Sequence, residues 1–196
     1  EAGVNHNGSL DMARSLIDVA ADAGADAVKF QTFRAETLVT RAAPKAAYQL
    51  ETTQGESTQF AMLKALELSG EDHEVLIAHC RERGIEFLST PFDTDSLAML
   101  VDRFGMPRIK IPSGEITNGV LLVAAAGTGR PIILSTGMSR LAEIEEALGA
   151  IAFGYLAGEE KPSRRALAEA YASDQGQEAL RTRVQLLHCT SEYPTP

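Results

Sequence analysis

The sequence predicts an α/β fold built around a parallel β-sheet. Short apolar runs alternate along the chain with stretches in which apolar residues recur at helical spacing, and this alternation is typical of βα units. The third and fourth apolar runs each begin about 22 residues after the run before, which suits one compact βα unit. Each predicted strand also ends in polar residues, as expected where parallel strands present a ligand site.

Six stretches are predicted to be helical. In residues 10–23 the apolar side chains recur at i, i+3, i+4 and i+7, with Ser9 placed to cap the start and Gly24 to end the helix. The other predicted helices are residues 59–66, residues 71–83 after Ser69, a stretch after Asp93 that buries Leu97, Leu100, Val101 and Phe104, residues 120–126, and a stretch that begins at Ser139. Residues 154–183 are predicted to form a polar insertion with short helices.

Five strands are predicted between the helices, at residues 27–31, 86–90, 108–112, 131–135 and 184–189. Their polar endings are residues 29–32, 89–92, 110–115, 135–138 and 188–193. Because the carboxyl ends of parallel strands meet at one edge, these side chains are expected to line a common site.

Charge and composition argue against a nucleic-acid-binding protein and against a membrane protein. The net charge is −9, with 27 acidic against 18 basic residues, which argues against a nucleic-acid partner. No apolar run reaches the roughly 18 residues of a membrane span, and no segment resembles a signal peptide. We therefore expect a cytoplasmic protein without a membrane partner.

Cys80 and Cys189 lack metal-type spacing and are predicted to be reduced core thiols.

Strand periodicity predicts two inward-facing lysines. Lys29 and Gln31 share one face of their strand, and Lys110 points opposite to its two isoleucine neighbours. If helices cover the outer faces, both ammonium groups lie inside, where an unpaired charge is costly. A phosphate or carboxylate ligand would neutralise them, with three strand-end hydroxyls as directional donors: Thr90, Ser113 and Ser135.

The alternative for these lysines is a structural ion pair, for instance with Glu115 or Glu1. His188, at the end of the last strand, fits a structural or substrate-orienting role better than a metal site, because no second strand-end histidine accompanies it. Asn5, with its neighbours His6 and Asn7, reads as a turn.

Six segments in order resemble the signatures of the N-acetylneuraminate synthase family: EAGVNHNG (1–8), VKFQT (28–32), STPF (89–92), KIPSGE (110–115), LSTGM (134–138) and LHCTSEYPTP (187–196). The resemblance implies a (β/α)₈ barrel, of which residues 1–196 would hold strands 2 to 6. Most of strand 1, strands 7 and 8, and a small C-terminal antifreeze-like domain would be missing. We therefore expect the isolated chain to be inactive and prone to aggregate.

The resemblance also implies the site residues. Lys29, Thr90, Lys110, Ser113 and Ser135 would hold phosphoenolpyruvate, and Asn5, Gln31 and Tyr193 would lie near the sugar. Glu1 and Glu115 would be the catalytic carboxylates, and Ser191 stands where some members carry a substrate-contacting Asn. A divalent metal, Mn²⁺ or Mg²⁺, would be bound by residues outside this chain, and the full-length enzyme would be a homodimer.

The implied reaction joins phosphoenolpyruvate to an N-acetylated amino sugar and releases phosphate. The enol carbon C3 attacks the sugar aldehyde, which the metal polarises, and water adds at C2, where Glu1 or Glu115 stabilises positive charge or takes a proton. The sugar would be N-acetylmannosamine or a 2,4-diacetamido trideoxy sugar. Two alternatives are a Schiff-base aldolase, with Lys29 or Lys110 as the nucleophile, and a non-catalytic phosphate- or sugar-binding fragment.

Overall fold

The computed structural model describes residues 1–43, 58–156, 158 and 160–190. The chain divides into two compact units, a first unit of Glu1–Leu100 and a second unit of Val101–Pro196. The second unit starts inside a short π-helical turn at Met99–Arg103.

The first unit contains a pair of parallel strands. Its elements are α1 (Leu10–Asp22), β1 (Ala27–Thr32), α2 (Ala35–Leu38), α3 (Gln59–Ala65), α4 (Gly70–Arg83), β2 (Glu86–Pro91) and α5 (Thr94–Ala98). Strand β1 pairs with β2 in parallel register from Ala27 opposite Glu86 to Thr32 opposite Pro91. On the other side of β1, Gly3 forms an isolated parallel bridge with Phe30.

The second unit contains a three-stranded parallel sheet in the order β3, β4, β5. Its elements are β3 (Ile109–Ile111), a 3₁₀ turn (Ser113–Glu115), α6 (Gly119–Gly127), β4 (Ile132–Ser135), α7 (Leu141–Leu156), α8 (Arg164–Ala172), α9 (Asp174–Arg183) and β5 (Val184–Leu187). The α/β class and the parallel pairing predicted from the sequence are confirmed. The predicted polar insertion is the hairpin of α8 and α9, which packs on α7.

Side-chain caps explain where the helices begin. Ser9 accepts a hydrogen bond from the backbone N–H of Met12 at the start of α1. Ser69 and Asp72 form a reciprocal capping box at the start of α4. The helix predicted after Asp93 is present as α5 continued by the π-helical turn, with Leu97 and Leu100 buried as predicted and Val101 and Phe104 only half-buried. The helix predicted from Ser139 begins at Leu141.

Each unit has its own apolar core. In the first unit Phe30 is fully buried and stacks on Phe87 with 5.7 Å between the ring centroids. In the second unit the strand residues Ile109, Ile111, Ile132 and Leu134 are fully buried. Helices α6 and α7 approach so closely that a Cβ added to Gly154 would lie 2.6 Å from the Val123 carbonyl oxygen.

The sheet of the second unit leaves apolar side chains exposed on β5, where Leu186 and Leu187 are 48% and 42% exposed. None of the described helices combines the length and the apolarity that a membrane crossing requires.

Candidate functional site

The predicted site residues divide between the two units. Glu1, Asn5, Lys29, Gln31 and Thr90 belong to the first unit, and Lys110, Ser113, Glu115 and Ser135 belong to the second. Tyr193 and Ser191 lie outside the described residues, as do positions 44–57.

In the first unit, the face of β1 predicted to carry polar groups does so. Burial alternates along the strand, with Lys29 and Gln31 half-buried and their neighbours buried. Gln31 lies opposite Thr90 in the parallel register, so the two side chains share one face of the strand pair. The sequence prediction that Lys29 and Gln31 share one face of β1 is therefore confirmed.

The chain start closes over this face and supplies a counter-charge. Glu1 forms an ion pair with Lys29, so the alternative of a structural ion pair is realised at this lysine. The segment is held by backbone hydrogen bonds of 2.9 Å from the N–H groups of Ala2 and Gly3 to the Lys29 carbonyl. A Cβ added to Gly3 would lie 3.2 Å from the Glu1 carboxylate and 3.7 Å from the Gln31 amide nitrogen. Asn5 lies exposed in the turn that follows.

The opposite face of the same strands carries a buried polar chain that sequence reasoning missed. His73 Nδ1 lies 2.7 Å from the Ser69 carbonyl, so this nitrogen carries a proton and donates to that carbonyl. His73 Nε2 is hydrogen-bonded to Thr32 Oγ1 at 2.8 Å, and Thr32 Oγ1 is hydrogen-bonded to Ser89 Oγ at 2.6 Å. The three side chains are 3% exposed or less. The chain thus joins the ends of β1 and β2 to the start of α4.

In the second unit, Lys110 is buried, with only 7% of its surface exposed. Its ammonium donates to Ser135 Oγ at 2.6 Å and to the Ile111 carbonyl at 2.7 Å. The ends of β3 and β4 are therefore joined by a charged group. Burying an ammonium in this way is costly unless acceptors or an anion compensate for lost hydration.

Two further predicted residues follow this lysine in the chain. Glu115 is half-buried, and its carboxylate accepts a hydrogen bond of 2.8 Å from Asn118 Nδ2, which orients it at the start of α6. Ser113 opens the 3₁₀ turn, and its Oγ lies 3.2 Å from where a Cβ on Gly137, after β4, would be placed.

Cys189 was predicted to be a core thiol, and that prediction is wrong because the side chain is half-exposed at the end of β5. Burial by itself would raise the pKa of this thiol. The polar surroundings supplied by Ser135 and by the backbone of Thr136 and Gly137, together with the Lys110 charge, outweigh burial and lower its pKa. The ends of β3, β4 and β5 therefore create an environment that stabilises negative charge.

The histidines do not form a metal site in the described part of the chain. His188 is exposed, whereas His6, predicted to be a turn residue, is fully buried within its turn. Among the described residues no group of three or more His, Cys, Asp or Glu side chains is placed to hold a metal ion. The donor set present here therefore does not fit the divalent metal implied by the resemblance.

Comparisons with known proteins agree on one family. The sequence profile of the NeuB family matches residues 16–196. The chain is 45% identical over 196 residues to an N,N'-diacetyllegionaminic acid synthase of Campylobacter jejuni, covering 100% of this chain and 52% of that protein. It is 46% identical over 194 residues to the Legionella pneumophila enzyme of the same name, covering 99% of this chain and 48% of that protein.

Solved structures give the same result. The N-acetylneuraminic acid synthetase of Leptospira borgpetersenii, crystallised with citrate, superposes with a TM-score of 0.70 at 30% identity. The alignment covers 100% of this chain and 54% of that protein. The chain therefore spans about half the length of the relatives that it matches.

Proposed function

This chain belongs to the NeuB family, and we propose that it contributes the phosphoenolpyruvate-binding part of a synthase that makes a sialic-acid-type sugar. The observation that carries the proposal is the buried ammonium of Lys110, held against Ser135 where two parallel strands end. A metabolite with a phosphate and a carboxylate suits such a site, because an ammonium and a hydroxyl both donate hydrogen bonds to anionic oxygens.

Lys110, Ser113 and Ser135 of the second unit are proposed to bind phosphoenolpyruvate, and the family resemblance implies the same role for Lys29 and Thr90. Lysine supplies charge, and the serine hydroxyls supply directed hydrogen bonds to oxygen. The lowered pKa of Cys189 supports this assignment, because the donors that stabilise a thiolate also suit a ligand oxyanion.

In the proposed reaction a bond forms between C3 of phosphoenolpyruvate and the aldehyde carbon of the open-chain sugar. Water adds at C2, and the bond from C2 to the phosphate oxygen then breaks to release phosphate. Lys110 offsets the charge of the departing phosphate, while Glu1 or Glu115 stabilises positive charge at C2 or takes the proton of the water. The hydrogen bond from Asn118 fixes the carboxylate of Glu115 for such a role.

For the sugar we propose a 2,4-diacetamido trideoxy compound, with Asn5, Gln31 and Tyr193 near it. The support is the pattern of relatives, since both diacetyllegionaminic acid synthases are 45–46% identical to this chain. The N-acetylneuraminate-9-phosphate synthase of Drosophila melanogaster is 31% identical, and the pseudaminic acid synthase of Helicobacter pylori is 28% identical.

The wider architecture is proposed from the same resemblance. It comprises a (β/α)₈ barrel to which this chain contributes strands 2 to 6, a C-terminal antifreeze-like domain, a homodimer, and a divalent metal bound by residues beyond this chain. The parallel order of strands in each unit is consistent with a barrel. A location in the cytoplasm stays a prediction.

The proposed function is tested by replacing Lys110 with Met in the complete protein. Removing the ammonium while keeping the aliphatic stem should raise the KM for phosphoenolpyruvate by about 100-fold, because a charge-assisted contact to the ligand is lost. Sugar-dependent phosphate release is the readout, and Lys161→Met, at an exposed position, is the matched control. Unchanged kinetics in Lys110→Met would remove this lysine from the site.

A second experiment distinguishes the proposed condensation from the reaction of a Schiff-base aldolase. Borohydride reduction in the presence of a keto substrate should trap no covalent adduct, because the proposed condensation has no imine intermediate. Trapping at Lys29 or Lys110 would favour the Schiff-base alternative.

A further inference from the structure

The geometry points to Gly137 as a positioning residue of the phosphoenolpyruvate site: the absence of a side chain there lets the ends of β3, β4 and β5 close on one another. This inference rests on the proposed function, because the ligand is the one assigned to Lys110, Ser113 and Ser135. The residue would act through Ser113 and the loop after Ser135 and need not touch the ligand through a side chain of its own.

Three strand ends meet at this residue. Gly137 lies two positions after Ser135, the last residue of β4. The loop between them is tied to β5, since the N–H and the hydroxyl of Thr136 both donate to the Leu187 carbonyl, at 3.1 Å and 3.0 Å. From the other side, Ser113, which follows β3, places its Oγ 3.2 Å from the position that a Cβ on Gly137 would occupy.

Three atoms border the position that a side chain on Gly137 would occupy. A Cβ placed there would lie 3.2 Å from Ser113 Oγ, 3.3 Å from the Thr190 carbonyl oxygen and 3.4 Å from the Cys189 carbonyl oxygen. Distances in this range are tighter than ordinary van der Waals contact between carbon and oxygen, so at least one neighbour would have to move by a few tenths of an ångström.

The requirement for glycine is spatial and not conformational. Gly137 is not among the described glycines with a positive φ, so alanine can adopt its backbone conformation without strain. Gly114, in the turn that also carries Ser113, provides the contrast, because a Cβ there would meet none of the described atoms within 4 Å. The two glycines thus differ in local packing while lying beside the same serine.

A methyl group at position 137 would therefore disturb the proposed phosphoenolpyruvate site. The two carbonyls belong to backbone that is anchored to β5, whereas the Ser113 side chain can rotate away. The remaining response is a shift of the loop that begins at Ser135, the acceptor of the Lys110 ammonium. Either movement displaces a proposed ligand donor, and misplacement of a positioned group weakens binding steeply.

The test compares Gly137→Ala with the matched control Gly114→Ala in the complete protein. Phosphoenolpyruvate affinity is measured by isothermal titration calorimetry, together with KM, kcat and the thermal unfolding midpoint. We expect Gly137→Ala to weaken phosphoenolpyruvate binding on the order of tenfold, with the change in KM larger than the change in kcat. Gly114→Ala should stay within about twofold of the wild type.

A double-mutant cycle identifies the route of the effect. In a Ser113→Ala background the nearest atom to the new methyl group is gone, so Gly137→Ala should weaken binding by a much smaller factor than in the wild type. Equal factors in the two backgrounds would support the route through the loop after Ser135, whereas wild-type affinity in Gly137→Ala would overturn the inference. Should Gly137→Ala fail to fold, recovery of folding in the double variant supports the contact, and failure there overturns it.

The same data separate this inference from the proposed function. A wild-type protein that neither binds nor consumes phosphoenolpyruvate defeats the proposed function, and the inference with it. A wild-type protein that turns over phosphoenolpyruvate, together with an unaffected Gly137→Ala variant, defeats only the role of Gly137.

Discussion

At the scale of single residues, the two cysteines show how environment sets chemistry. Cys80 is buried in the apolar interior of the first unit, and this burial raises the pKa of its thiol to about 12. Cys189 is half-exposed, and the polar surroundings supplied by Ser135 and the following backbone, with the Lys110 charge, lower its pKa despite partial burial. The thiolate is the nucleophile in alkylation, so the two thiols should differ in reactivity.

We expect iodoacetamide at pH 7.5 to modify Cys189 at least about tenfold faster than Cys80, as measured by peptide mass spectrometry over time. Ser135→Ala removes one of the groups that lower this pKa and should slow the reaction at Cys189 alone. Similar rates at both cysteines in the folded protein would contradict the proposed electropositive environment at the strand ends.

His6 predicts a pH dependence of stability. Its ring is fully buried, Nδ1 accepts from the Gly8 N–H at 3.1 Å, and Nε2 has no hydrogen-bond partner among the described residues. Burial lowers the pKa of His6 below 6.5, partly opposed by Asp72 and assisted by His73. Below pH 6.5 the unfolded chain binds a proton that the folded turn resists, so stability falls as the pH decreases through this range.

The measurement is urea unfolding at pH 7.5 and pH 5.0. His6→Asn keeps an acceptor for the Gly8 N–H but cannot titrate, so the loss of unfolding free energy between the two pH values should be smaller than in the wild type. An equal loss in both proteins would assign the pH dependence to other groups.

At the scale of elements, the turn after His6 is fitted to the end of α3. Gly8 has φ +77°, and a Cβ there would lie 2.4 Å from the Ala65 carbonyl oxygen. Gly24, after α1, has a similar φ of +74°, but a Cβ there would meet none of the described atoms within 4 Å. A comparison of alanine variants at Gly8 and Gly24 therefore distinguishes the cost of backbone strain from the cost of steric contact.

Gly24→Ala should cost about 1 kcal/mol of unfolding free energy, because alanine is strained at a left-handed φ. Gly8→Ala should cost about 3 kcal/mol, since a clash with backbone is added to the same strain. Chemical denaturation of both variants measures the difference. Equal losses would show that α3 can move away from the turn at little cost.

The elements also show what local sequence signals can predict. Ser9 and Ser69 cap α1 and α4 as predicted, because capping depends on residues three positions apart. The alternation that places Lys29 and Gln31 on one face depends only on strand geometry. The π-helical turn after α5 was not predicted, since apolar spacing alone does not report a change of hydrogen-bond pattern.

At the scale of the whole molecule, the prediction concerns which sugar the complete protein prefers. With the complete protein, kcat/KM should be at least about tenfold higher for the 2,4-diacetamido trideoxy sugar than for N-acetylmannosamine, because a site with donors for a second acetamido group loses them with the smaller ligand. Coupled phosphate release measures both sugars side by side. A preference for N-acetylmannosamine would reassign the sugar while leaving the phosphoenolpyruvate site intact.

The α/β class, the parallel strands and their polar endings could be predicted from the sequence, because these follow from periodicities that a few neighbouring residues set. The sequence also predicts that Lys29 and Lys110 face inward, and the structure shows Lys29 half-buried and Lys110 buried. Their partners, Glu1 for Lys29 and Ser135 for Lys110, depend on the packing of distant residues. The chain from Ser89 to His73, the charge-stabilised Cys189 and the limited space at Gly137 likewise depend on residues far apart in sequence, whose distances are set by packing and by no local pattern.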